Sequence, residues 1–211
     1  EFAIGAVSDT DAAANAVDEN AAIGTLVGIT ASAVDADATN STPVYTLDDS
    51  AGGRFAIDAS TGVVSVAGTV DREVAPSQTI IVRATSADGS SSTQTFAIAV
   101  NSLNDNAPDI SSNGGGASAS ISVAENSSAV TTVVASDADL PAQTLTYSII
   151  GGADQALFSI NASTGVLSFA SAPDFEAPSD AGGDNVYDVT VQASDRSEEH
   201  TSELQSRVLI S

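Results

Sequence analysis

The run Phe55-Ala56-Ile57-Asp58-Ala59-Ser60-Thr61-Gly62-Val63-Val64-Ser65-Val66-Ala67 returns later in the chain. It comes back as Phe158-Ser159-Ile160-Asn161-Ala162-Ser163-Thr164-Gly165-Val166-Leu167-Ser168-Phe169-Ala170, with nine of 13 positions identical. A chain of 211 residues that repeats itself at this interval builds two similar domains of about 100 residues each, not one large one. Phe and Ile two residues apart point to one face of a strand, and Thr-Gly then closes a turn in which glycine is free to take positive φ.

Other short apolar runs lie at Ile23–Ile29, Val44–Leu47, Ile80–Ala84 and Phe96–Val100, separated by Gly, Ser, Asp, Asn and Pro. Short strands at this spacing, with turn chemistry between them, predict an antiparallel β-sandwich. A hydrophobic content of 42% argues against disorder. Phe2 to Asn15, with Asp9-Thr10-Asp11, reads as the tail and linker of a preceding repeat. The expected boundaries are 1–16 for that tail, 17–104 for a first repeat and 105–195 for a second. Between the repeats, Asn104-Asp105-Asn106-Ala107-Pro108 competes with its own backbone for hydrogen bonds, and Pro108 keeps Ala107 extended, so this stretch is expected to be a joint.

The formal charge is -23, with 28 acidic residues, five basic ones and no lysine. Nucleic acid and anionic membrane surfaces need cations to meet their phosphates, so both are excluded as partners. No cysteine is present, hence no disulfide and no thiolate zinc site. The chain has no methionine and opens on Glu1-Phe2, which suggests an internal piece of a longer protein. No apolar run approaches the roughly 20 residues that span a bilayer, so no direct membrane insertion is expected within this fragment. Catalysis is not expected either. The one histidine, His200, lies in an anomalous tail, and a chain without tryptophan lacks the aromatic platforms that sugar hydrolysis uses.

The acidic positions recur along with the apolar ones. Glu19-Asn20 returns as Glu125-Asn126, Asp35-Ala36-Asp37 as Asp137-Ala138-Asp139, and Asp71-Arg72-Glu73 as Asp174-Phe175-Glu176. A recurring fold requires its core positions to recur, whereas surface carboxylates are under no such constraint. Glu-Asn, Asp-x-Glu, Asn-Asp-Asn-x-Pro, Asp-x-Asp and Val-x-Ala-x-Asp, in this order within one repeat frame, resemble the cadherin repeat, in particular its bacterial cadherin-like version. The resemblance covers residues 17 to 195.

What the resemblance implies is an all-β chain of two tandem seven-stranded Greek-key sandwiches with immunoglobulin-like topology, and calcium between successive repeats. The first repeat would supply Glu19, Asp71 and Glu73. The linker would add Asn104 and Asp105 through side chains, and Leu103 and Asn106 through backbone carbonyls. The second repeat would contribute Asp137, Asp139 and Asp195. Ser102 stands where the family's linker opens with aspartate, and Ser86 stands at the position matching Asp195. The implied function is a calcium-binding module of a large cell-surface or secreted protein, with its anchor and signal peptide outside this fragment. Such a module would mediate calcium-dependent adhesion to the same protein, another surface protein or a glycan. The alternative is a calcium-rigidified spacer without adhesive contact of its own.

The tail from Arg196 breaks the repeat pattern. Arg196-Ser197-Glu198-Glu199-His200-Thr201-Ser202-Glu203-Leu204-Gln205-Ser206 is similar to a sequencing-adapter oligonucleotide read through as protein, so 196–211 is set aside as non-native. On that reading the second repeat is truncated before its last strand, which leaves an unpaired sheet edge.

Overall fold

The computed structural model describes residues 3–36, 42–195 and 201–211. It divides into a unit of residues 1–103 and a unit of residues 104–211. Strands in the first are β1 (Ser8–Asp9), β2 (Ala16–Asp18), β3 (Leu26–Ser32), β4 (Val44–Asp49), β5 (Phe55–Ile57), β6 (Val63–Val66), β7 (Ser77–Thr85) and β8 (Ser91–Asn101). Those in the second are β9 (Asp109–Ile110), β10 (Ser118–Val123), β11 (Ala129–Thr132), β12 (Ala135–Ser136), β13 (Thr146–Gly151), β14 (Phe158–Ile160), β15 (Val166–Phe169), β16 (Val186–Ser194) and β17 (Thr201–Ile210). No α-helix occurs among the described residues.

The first unit forms two four-stranded sheets, β1-β3-β6-β5 and β2-β8-β7-β4. Because β1 joins one sheet and β2 the other, the first strand of the sandwich is divided between them. Counted once, it gives seven among the described residues. All pairings are antiparallel except β2 with β8. The alternation of β7, in which Ile80, Val82 and Ala84 are buried while their neighbours are half exposed, faces the equally alternating Phe96, Ile98 and Val100 of β8. Burying each valine or isoleucine stabilises by about 1.5–3 kcal/mol. Ile4 and Val7 belong to this same core, and β1 pairs with β3. The described part of residues 1–16, expected as the tail and linker of a preceding repeat, thus packs with the first unit in this structure.

The second unit repeats the plan, with β10-β17-β16-β13 as one sheet and β11-β15-β14 and β12-β9 completing the other layer. The repeated turns have one construction. Asp58 Oδ1 accepts from Ser60 Oγ at 2.7 Å and from the N–H groups of Ser60 and Thr61, and Asn161 Oδ1 accepts from the N–H groups of Ser163 and Thr164. The Ser60 hydroxyl, followed by these N–H groups, holds the Asp58 carboxyl well below its ordinary range. Gly62 and Gly165 close the turns at φ 72° and 69°. A Cβ on Gly62 would lie 2.2 Å from the Ala31 carbonyl oxygen, and one on Gly165 would lie 2.1 Å from that of Val133.

The expected truncation is also corrected. Thr201–Ile210 pairs antiparallel with β16 and parallel with β10, and Leu204, Ser206, Val208 and Ile210 are buried. The physical reason is an inward alternation with period two, which satisfies the sheet whatever the segment's origin. Arg196–His200 lie outside the described residues, as does Asp37.

Candidate metal centre

In the first unit, Glu19 follows directly on β2 and is only 1% exposed. Its Oε2 accepts from the Arg72 N–H at 2.9 Å, and its Oε1 accepts from the Leu103 N–H. A buried carboxylate is costly unless its lone pairs are used, and here two backbone donors use them. The carboxylate thus ties the exit of β8 to the Asp71–Glu73 segment. Glu73 is half buried there, and Asp71 Oδ1 accepts from the Val74 N–H of its own turn at 3.0 Å.

At the end of the second unit where the chain enters, Asp137 and Asp139 leave β12 and Asp195 leaves β16. One carboxylate oxygen from each lies within 4.8 Å of the others. Asp139 and Asp195 are each 1% exposed. Asp137 Oδ1 accepts from the Asp139 N–H at 2.8 Å. Asp139 Oδ1 accepts from Asn106 N and Nδ2 at 3.1 and 2.7 Å, which fixes the linker backbone against this cluster. Asn106 Nδ2 also donates to Asp105 Oδ1 at 2.9 Å.

Sequence reasoning missed Gln143. Its Nε2 donates to Asp139 Oδ2 at 3.1 Å, and its Oε1 accepts from Asn104 Nδ2 at 3.2 Å, so one side chain links the linker to the cluster. Its place four residues after Asp139 was the only available signal. Two oxygens of this end, Asn104 Oδ1 and Asp137 Oδ2, are buried without a hydrogen-bond partner. Such acceptors carry the full desolvation cost, and three gathered carboxylates add mutual repulsion. A hard cation relieves both. The donors are oxygens alone, with no imidazole or thiolate, which suits calcium and its six to eight oxygen ligands.

Glu125, Asp174 and Glu176 gather within the same 4.8 Å limit at the other end of the second unit. The Phe175 N–H donates to Glu125 Oε2 at 3.1 Å, as the Arg72 N–H does to Glu19. At Glu176 a hydrogen bond from its own backbone works to lower the pKa. The charge of Glu125, burial, and hydrogen bonding with Glu125 and Asp174 outweigh it and push the carboxyl above its ordinary value.

The family profile described as "Cadherin domain" matches residues 14–101 and 119–211. The chain is 32% identical over 182 residues to human Protocadherin Fat 1, covering 84% of this chain and 4% of that protein. It is 33% identical over 149 residues to mouse Protocadherin Fat 4, covering 68% of this chain and 3% of that protein. The chain thus spans a few per cent of the length of these relatives. Among solved structures, repeats EC22-24 of mouse Cadherin-23 align with a TM-score of 0.77 at 28% identity, covering 98% of this chain and 64% of that one. The Protocadherin GammaB4 extracellular domain aligns at 0.78 and 26%, covering 98% and 34%.

Proposed function

Because the chain belongs to the cadherin domain family, we propose that it is a calcium-binding module of a large cell-surface or secreted protein and mediates calcium-dependent adhesion. The observation that carries this reading is the set Asp137, Asp139 and Asp195, which brings three carboxylates together beside the buried, unpartnered Asn104 Oδ1 and Asp137 Oδ2. An acidic surface that is merely solvated has no need to bury two of its three carboxylates or to strip acceptors of water.

In this reading the second repeat contributes Asp137, Asp139 and Asp195. The linker contributes Asn104 and Asp105 through side chains and Asn106 through its carbonyl, and the first repeat contributes Glu19, Asp71, Glu73 and the Leu103 carbonyl. The backbone bonds from Arg72 and Leu103 to Glu19, and from Asn106 to Asp139, set the donors in place ahead of the ion. Calcium would supply charge neutralisation. Extracellular calcium modules bind at about 10⁻⁴ to 10⁻³ M, so roughly 1 mM calcium stabilises by about 0.4 to 1.4 kcal/mol per site.

Calorimetric titration of the chain should show calcium binding in that range, lost in Asp139→Asn. A flat titration at millimolar calcium would remove the proposal.

A second reading, a calcium-stiffened spacer presenting another domain, is favoured by the absence of tryptophan and the small share of large exposed aromatics, of which Phe175 is one at 45% exposure. Adhesive surfaces concentrate Trp, Tyr and Arg. Bead aggregation separates the two: calcium-dependent clustering of chain-coated beads supports adhesion. Dispersed beads, with calcium narrowing the range of particle dimensions in solution scattering, support the spacer. In either case no described helix is long and apolar enough to cross a membrane.

A further inference from the structure

The entry ends of the two units share a frame and differ in chemistry. The Ala33 N–H donates to the Tyr45 hydroxyl at 3.1 Å, and the Ala135 N–H donates to the Tyr147 hydroxyl at 3.2 Å. Two residues on from these alanines stand Asp35 and Asp137. On the opposite side of each end, Ala84-Thr85-Ser86 takes the place of Ala193-Ser194-Asp195. Ser86 is 6% exposed, as is Asp35, and its hydroxyl donates to Asp35 Oδ2. The nearby Asp88 does not replace the missing carboxylate: it is exposed, and its Oδ1 accepts from the Ser90 N–H at 2.7 Å within its own turn.

From this contrast we infer that the entry end of the first repeat is a cation-free end, where the Ser86 hydroxyl does for Asp35 what calcium does for Asp137 in the second repeat. The inference rests on the calcium reading of Asp137, Asp139 and Asp195. Asp137 faces the Asp195 carboxylate, and that repulsion calls for an ion; Asp35 faces the Ser86 hydroxyl donor in its stead, and its oxygen on that side is already satisfied. The exchange removes one negative charge and supplies one donor, and both changes act against cation binding. A domain attached at that end would be held in a way that does not respond to calcium, whereas the entry end of the second repeat responds to it.

The chain reports this difference through its own tyrosines. It has three and no tryptophan, with Tyr45 beside the first entry end, Tyr147 beside the second and Tyr187 in the second core. Terbium(III), used as the calcium probe, emits when a nearby tyrosine transfers its excitation. In the full chain, Tyr147→Phe should bring emission down to the level that Tyr187 supports, and Tyr45→Phe should leave it unchanged. A large loss in Tyr45→Phe would place an ion at the first entry end and overturn the inference.

Ser86→Asp should create emission that depends on Tyr45. If that variant folds by circular dichroism and shows none, serine is not the determinant and the inference falls. Should Ser86→Asp not fold, Asp195→Ser gives the reciprocal test: Tyr147-dependent emission should vanish, and its retention overturns the inference. A wild-type chain that neither emits nor takes up calcium in the calorimeter instead removes the calcium reading itself.

Discussion

Asp137→Asn should stabilise the second repeat in chelator and weaken it in calcium. The carboxylate oxygens of Asp137, Asp139 and Asp195 come within 4.8 Å of one another, so removing one charge deletes two repulsive pairs. Each pair at that distance is worth about 0.9 kcal/mol at the dielectric of water and about 3.5 kcal/mol at an effective value of 20. The gain without metal is then at least about 2 kcal/mol. Against it stands little loss, because the asparagine Oδ1 still accepts from the Asp139 N–H and the replaced Oδ2 has no hydrogen bond to lose. For a domain of this size about 2 kcal/mol moves the midpoint by roughly 8 °C or more. Differential scanning calorimetry of the chain, with 5–10 mM chelator and then calcium as order-of-magnitude conditions, reads both signs. A variant that melts lower than wild type in both solutions would refute the reasoning, since the three carboxylates would then not be in mutual repulsion.

Ser206→Ala should raise the melting point of the second repeat by an amount corresponding to about 1 kcal/mol, because Ser206 Oγ is buried with no hydrogen-bond partner; urea unfolding checks it, and a loss of stability would show that a buried water satisfies the hydroxyl. Gly165→Ala places a Cβ 2.1 Å from the Val133 carbonyl oxygen at φ 69° and should cost about 2–4 kcal/mol, readable as a lower urea midpoint. Asp48 is held below its ordinary value of 3.8 by the hydrogen bond from Arg83, with burial opposing and the Arg83 charge assisting. Its contribution is therefore complete above that value and drains away as pH falls through the lowered one. Acid unfolding of Asp48→Asn should converge with wild type at the acid end, and added salt should shrink the difference above it.

Much of the sandwich was legible because its periodicities are local. Phe55 and Ile57, Ile80, Val82 and Ala84 announce their faces by spacing alone, and the repeat of the Thr-Gly turn fixes two domains. The carboxylates of the entry end were legible for a different reason: Asp137 and Asp139 stand in a motif that recurs in both repeats, and Asp195 in a Val-x-Ala-x-Asp motif whose first-repeat counterpart ends in Ser86. Three things were not. The strand Thr201–Ile210 carries Ser206 at a core position where the first repeat has Phe96, so its alternation is interrupted at its centre. Tyr187, 1% exposed and 5.1 Å from Phe169, adds an aromatic ring to this core from a different strand, which no local pattern reveals. Ile4 and Val7 were obscured by the acidic run that follows them. Gln143 acts through two long-range hydrogen bonds that only the folded chain creates.

The parallel pairing of β10 with β17 bears on how a load passes through the molecule. Tension applied to the two ends of the second repeat would slide these strands along one another, so that all six residue pairs from Ser118–Gln205 to Val123–Ile210 resist together and none is peeled off first. The first repeat has the same clasp between β2 and β8, but only three pairs long. Pulled between two anchors, the molecule would give way at that shorter clasp while the longer one still held.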